Sequence, residues 1–200
     1  IEGLIKLLNK NQNIGIIKME VSRNLEPKKD FLKKIRKICN KKKIILIFDE
    51  CTSGFRETYG GLHKKFNVNP DIAIFGKALG NGYAITSVLG KKRIMKNVSK
   101  TFISSTFWTE RIGFIAAIET LKSMKKEKSW IKISKTGDYI KKSWKDIFKK
   151  YNYKVQISGL RSIPNFAFKN KNLERSTFFT QSMLSKNFLA GNILFISTSH

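Results

Sequence analysis

Ile44-Ile45-Leu46-Ile47-Phe48-Asp49-Glu50 and, further along, Ile72-Ala73-Ile74-Phe75-Gly76-Lys77-Ala78-Leu79-Gly80-Asn81-Gly82 are the stretches whose reading decides the fold. Each opens on a short apolar run and passes into a glycine-containing loop. Apolar runs of about four to eight residues between turn signals read as buried strands, although periodicity alone leaves a buried helix open. Working outward, Ile14–Glu20, Ile44–Asp49, Asp71–Gly76 and Tyr83–Gly90 read as strands. Glu26–Lys43 reads as an amphipathic helix, with Phe31, Leu32, Ile35 and Ile38 at helical spacing and Pro27 near its start. Strand, helix, strand in that order predicts right-handed crossovers and an α/β fold with a mainly parallel sheet.

Downstream, Glu110–Lys126 and Ser129–Lys150 read as helices, the first with Ile112, Ile115, Ala116, Ile118 and Leu121 mostly on one side. Two strands follow, Tyr153–Ser158 and Ser162–Phe168, then a helix near Glu174–Lys186 and a strand at Asn192–Ile196. A domain boundary falls near Met124–Ser129, and there is no internal repeat or long Pro/Gly/Ser linker.

In an open α/β sheet, ligands bind outside the carboxyl ends of the strands. Asp49 and Lys77 each close one of the two apolar runs, so both are expected at one crevice. An amine and a carboxylate there suit pyridoxal 5'-phosphate: the lysine forms a Schiff base and the aspartate pairs with the protonated pyridine nitrogen. The same lysine can then act as general base, and burial beside the cofactor favours its neutral form. Spacing alone does not select this reading. All but seven of the 40 basic residues are lysine, so one Gly-Lys pair is weak, and a strand-end aspartate can simply cap a turn.

The wording around these residues carries more. Phe48-Asp49-Glu50-Cys51-Thr52-Ser53-Gly54-Phe55-Arg56, then Tyr59-Gly60-Gly61, Asn69-Pro70-Asp71-Ile72 and Phe75–Gly82 occur in that order. Gly90 with Arg93-Ile94-Met95 follows, and then Ser104-Ser105-Thr106-Phe107-Trp108-Thr109-Glu110-Arg111-Ile112-Gly113 ahead of Ala116-Ala117. Gly159-Leu160, Phe166-Ala167-Phe168, Thr177–Leu184 and Ser199-His200 close the series. Together these blocks resemble the class III aminotransferases, PLP-dependent enzymes of fold type I, and within them the glutamate-1-semialdehyde aminomutase-like branch. The resemblance implies residues 1–125 as the C-terminal half of the PLP-binding large domain, aspartate aminotransferase-like, and residues 126–200 as part of a small α+β C-terminal domain. It assigns Lys77 to the Schiff base, Asp49 to the ring nitrogen, and Thr106 to the cofactor phosphate of a neighbouring subunit, hence a homodimer. Cys51 matches a position where valine packs on the ring, and Thr52 one often filled by glutamine or methionine near the ring hydroxyl. Glu20 aligns with a family glutamate whose following proline is absent here, and it is not read as catalytic.

The implied activity moves an amino group between a small-molecule amino donor and an oxo acceptor. Its alternative is intramolecular transfer like that of glutamate-1-semialdehyde 2,1-aminomutase. On the same resemblance, a long N-terminal half with the phosphate-cradling loop lies outside these 200 residues, and His200 falls short of the family's last helix. The segment alone is therefore expected to bind PLP weakly and to show no measurable transaminase activity.

A formal net charge of +26 would ordinarily argue for nucleic acid or an anionic membrane. Arginine, the better bidentate reader of phosphate and bases, is scarce here. The lysines are spread over helix faces, as in Lys28-Lys29, Lys33-Lys34, Lys41–Lys43 and Lys141-Lys142, so a solvated surface is the favoured reading. A basic nucleic-acid-binding module and an inactive fragment stand as alternatives of another class. Cys39 and Cys51 lack metal-site spacing, so no metal is expected, and a reduced cytoplasmic setting follows. His63 and His200 read as surface or outer-sphere residues, and Trp108, Trp130 and Trp144 as packing residues. The apolar stretch Ile44–Phe48 is too short to span a bilayer, so no membrane partner is expected.

Overall fold

A computed structural model describes residues 1–108 and 110–199. Thr109 and His200, with the readings attached to them, lie outside the described residues. The chain divides into two compact units, one of residues 1–22 and 27–127, the other of residues 23–26 and 128–200.

The first unit opens on helix α1 (Glu2–Lys10) and continues through β1 (Ile16–Glu20), α2 (Phe31–Lys41), β2 (Ile45–Asp49), β3 (Ile72–Phe75) and β4 (Ser87–Gly90). A short α3 (Lys92–Met95) and the longer α4 (Ile112–Glu127) complete it. The four strands form one sheet in the order β1-β2-β3-β4. β1, β2 and β3 run parallel and β4 is antiparallel to β3, so the mainly parallel α/β sheet is observed. Leu46 and Phe48, on one face of β2, are completely buried. Leu32, Ile35 and Cys39 are the buried stripe of α2, at the three- and four-residue spacing of one helix face. Cys39, at 0% exposure, is a core residue. The helix starts at Phe31, after an Asp30 in left-handed conformation, five residues later than Glu26. Pro27 therefore lies ahead of the helix and not in its first turn.

In the second unit, α5 (Ser129–Lys150) precedes an antiparallel hairpin of β5 (Val155–Leu160) and β6 (Ile163–Phe168), followed by α6 (Asn172–Leu184). Phe166 is the hub of its core: its ring meets Trp144 and Phe148 at 5.0 Å, Phe179 at 5.4 Å and Phe168 at 5.6 Å. The strand expected at Asn192–Ile196 is reduced to a single bridge between Ile193 and Asn165. Leu194 N–H donates to the Pro164 carbonyl and Ile196 N–H to the Ser162 carbonyl. The reciprocal bond from residue 164 is impossible because proline has no N–H, and the ladder stops there.

Candidate active site

Asp49 and Lys77 sit at the carboxyl ends of neighbouring parallel strands. Asp49 is the last residue of β2, in register with Ile74 of β3, and Lys77 lies three residues beyond Ile74. After Phe75 the chain turns through extended Gly76 (φ −169°) into a single 3-10 turn at Lys77–Leu79. Lys77 itself is left-handed, at φ +46°. That conformation costs a non-glycine residue about 1–2 kcal/mol. Its carbonyl compensates by accepting the N–H groups of Gly80 and Asn81.

The loop after β2 is built around Glu50, whose side chain is fully buried. Its carboxylate accepts the N–H of Leu62, the N–H of His63 at 3.1 Å and the Ser53 hydroxyl at 3.1 Å, and it meets His63 Nδ1 at 2.5 Å. A buried carboxylate is tolerated only with such a full donor set. His63 is thus a buried partner of Glu50, not a surface residue.

On this loop the expected residues converge. Cys51 N–H donates to Asp49 Oδ1 at 3.2 Å, and Lys77 Nζ donates to Thr52 Oγ1 at 2.8 Å. Asp49 Oδ2 also pairs with Lys18 Nζ at 3.0 Å. The bond from Lys18 holds the Asp49 carboxyl below the usual range; burial opposes the shift and the Cys51 amide adds to it. Burial, and then the hydrogen bond to Asp49, pushes the Cys51 thiol up, so Cys51 stays a neutral, compact side chain. Lys77 is exposed.

Thr106 lies on an exposed turn of its own. Its neighbours Ser105 and Phe107, with Lys77, Tyr83, Trp108 and Glu110, line a cavity of about 770 Å³ in the first unit. Trp108 is 61% exposed there, so the packing role expected of it does not hold in this chain. Trp144 does pack, edge-on to Phe166. Glu20 pairs in register with Asp49 at the same sheet end.

Sequence reading missed Lys18 and the roles of Glu50 and Thr52. A lysine inside Ile16-Ile17-Lys18-Met19 is a polar interruption, but among so many lysines it carries no signal. Glu50 had one: an acidic residue directly after an apolar strand, ahead of a loop rich in glycine and threonine.

The opposite end of β3 carries another buried carboxylate. Asp71 accepts Leu46 N–H at 2.9 Å and pairs with Arg36 at 2.7 Å, Lys91 at 2.8 Å and Arg93 at 3.1 Å. Burial raises its pKa, but the Leu46 amide, Lys91 and Arg36 together outweigh that and hold it far below the carboxylate range. Among the described residues no group of three or more His, Cys, Asp or Glu side chains could hold a metal ion. No described helix is long and apolar enough to cross a membrane.

In an open α/β sheet ligands bind outside the carboxyl ends of the strands, and there this amine and this carboxylate lie. A family profile described as aminotransferase class-III matches residues 24–186, and the chain belongs to that family. It is 35% identical, over 144 residues, to 3-aminobutyryl-CoA aminotransferase of Cloacimonas acidaminovorans (strain Evry), covering 72% of this chain and 35% of that protein. It is 42% identical, over 136 residues, to glutamate-1-semialdehyde 2,1-aminomutase of Nitrosopumilus maritimus (strain SCM1), covering 64% of this chain and 32% of that one. The crystal structure of an omega-transaminase from Sphaerobacter thermophilus superposes with a TM-score of 0.87 at 17% identity, covering 100% of this chain and 51% of that one, a likeness of fold. The chain thus spans about a third of these curated relatives (35% and 32%) and about half of the solved structure.

Proposed function

We propose that this chain contributes the cofactor-holding half of a pyridoxal-phosphate-dependent aminotransferase, acting on a small-molecule amino donor and oxo acceptor. One observation carries the reading: Asp49, at the end of β2, and Lys77, in the turn after β3, both engage the segment Cys51-Thr52, through hydrogen bonds of 3.2 and 2.8 Å.

The residues present fit the cofactor. Asp49 is held ionised and already accepts from a cation, which is what a protonated ring nitrogen requires. Lys77 presents a primary amine to the cavity and would hold the cofactor covalently. Cys51, small and neutral, would lie against the ring, and Thr106 would reach the phosphate in a partner subunit of a homodimer. When bound, pyridoxal phosphate supplies an electron sink for the pair released from the substrate Cα–H bond. Once the incoming amine has displaced it, Lys77 Nζ would take that proton and return it at the acceptor carbon. Thr52 Oγ1 holds Nζ in place between these tasks, and the Cys51 amide fixes the direction in which Asp49 presents its charge. The large domain in this reading is residues 1–125 and the small one residues 126–200, and the setting is cytoplasmic.

A second reading, intramolecular amino transfer, is favoured by the aminomutase named among the relatives at 42% identity. The two separate on full-length protein by a donor and acceptor screen: a transaminase needs a second substrate, whereas a mutase isomerises one. For the reading as a whole, borohydride reduction in the presence of pyridoxal phosphate should leave a pyridoxyl group on Lys77, located by peptide mass. Lys77→Ala should lose it; label spread over other lysines to the same extent would refute the assignment.

A further inference from the structure

We propose that Lys18 competes with the cofactor ring for Asp49 and so sets how tightly the ring nitrogen is held; the inference rests on the reading above. Asp49 has two carboxylate oxygens and both are engaged. Oδ1 accepts the Cys51 N–H, a donor that cannot leave because Glu50 ties the loop. Oδ2 accepts Lys18 Nζ at 3.0 Å. A ring N–H directed at this carboxylate must therefore share or take the oxygen Lys18 holds.

Lys18 can yield it. Its side chain is 57% exposed, against 28% for Asp49, so the ammonium can swing into water at small cost. Strand geometry brings the two together: Lys18 pairs with Ile47 across β1 and β2, which makes Asp49 its diagonal neighbour, within reach of a long side chain. While the pair is formed, the ammonium neutralises part of the charge that would attract a protonated ring. The other charged or titratable groups around the carboxylate are the Cys51 thiol, Lys77, which acts on that thiol, and Glu20, in register beside Asp49. The thiol is a neutral donor to the same carboxylate, and Lys18 is the cation on Oδ2, so its removal frees that oxygen of its ion pair.

The test compares full-length wild-type protein with Lys18→Met and Lys18→Gln, using two probes. One is pyridoxal 5'-phosphate; the other is 1-deazapyridoxal 5'-phosphate, which has carbon in place of the ring nitrogen. The readout is the dissociation constant by equilibrium dialysis, with circular dichroism to show that the variants fold. Both substitutions should tighten pyridoxal phosphate roughly two- to fivefold, the span expected for releasing a half-exposed ion pair, and leave the deaza analogue unchanged. An unchanged constant for pyridoxal phosphate, or an equal shift with both probes, overturns the proposal; the latter would mean that Lys18 acts through the phosphate or the fold. Borohydride labelling of Lys77 in the wild type separates the two levels. Without label at Lys77 the cofactor reading fails, and this inference with it. With label but no probe-dependent shift, only the role of Lys18 falls.

Discussion

Two acidic residues in succession, Asp49 at the end of β2 and Glu50 on the loop that follows, do opposite jobs. Glu50 is sealed in the first unit with four donors around it, and Asp49 stays partly open, held by the amide and thiol of Cys51 and by one movable ammonium. The first builds the loop, and under the proposed reading the second is left to act. Under the proposed reaction, Asp49→Asn keeps the shape but removes the charge that stabilises a protonated ring. In full-length protein kcat should fall roughly 10²–10³-fold, the size seen when one preorganised electrostatic partner is removed. Labelling of Lys77 should persist, because attachment needs the amine and not the carboxylate. Wild-type turnover in Asp49→Asn would count against the pairing. Lys77 was legible from its surrounding motif, but its left-handed backbone and its bond to Thr52 were not, and the bond joins two loops far apart in sequence.

At the scale of elements, the long helices and the apolar strands were readable from period and length. Ser129–Lys150 is the helix expected, residue for residue, because its stripe is long and its ends are sharp. Asn192–Ile196 failed as a strand because the partner position holds a proline, a fact about pairing and not about the segment itself. Asp71 joins α2, β2 and the residues after β4, and its effect on stability has a definite sign. Its folded pKa is depressed, so its contribution is fully present above the unfolded carboxylate value of about 3.9 and is lost as pH falls through the range below it. Urea unfolding followed between pH 6 and 3 should show an acid-side decline that Asp71→Asn flattens, at the cost of lower stability near neutrality; parallel profiles would refute it. In α5, Gly137 faces the hairpin, and a Cβ there would run into the Arg161 carbonyl oxygen. Alanine in a helix normally gains about 1 kcal/mol over glycine, but forcing a methyl into backbone costs about 1–3 kcal/mol. The clash should win, and Gly137→Ala should lower Tm by roughly 2–8 °C. A raised Tm would show that the hairpin shifts freely.

For the whole molecule, the decisive fact is that the chain covers about half of the solved structure it superposes on. Large apolar side chains are left exposed in each unit: Phe102, Trp108, Phe114 and Ile115 in the first, Leu173, Phe178 and Leu189 in the second. Under the proposed reading, the rest of the protein would cover such side chains. The 200-residue chain by itself should therefore bind pyridoxal phosphate weakly and show no transaminase turnover, whereas under the proposed reading full-length protein would bind it tightly and turn over. Turnover by the isolated chain at the full-length rate would overturn this. The charge of +26 plays no part in that argument, being dispersed over exposed lysines.

By itself the sequence determined the class of sheet, the helices that flank it, the family, and the two residues at the strand ends. These depend on local period and on motifs that survive without coordinates. The tertiary structure alone decided what each of those residues touches: Lys18 on Asp49, Thr52 on Lys77, Leu62 and His63 on Glu50. Such partners are chosen by strand register and loop closure. A chain this rich in lysine offers too many equivalent cations for spacing to single out the one that arrives.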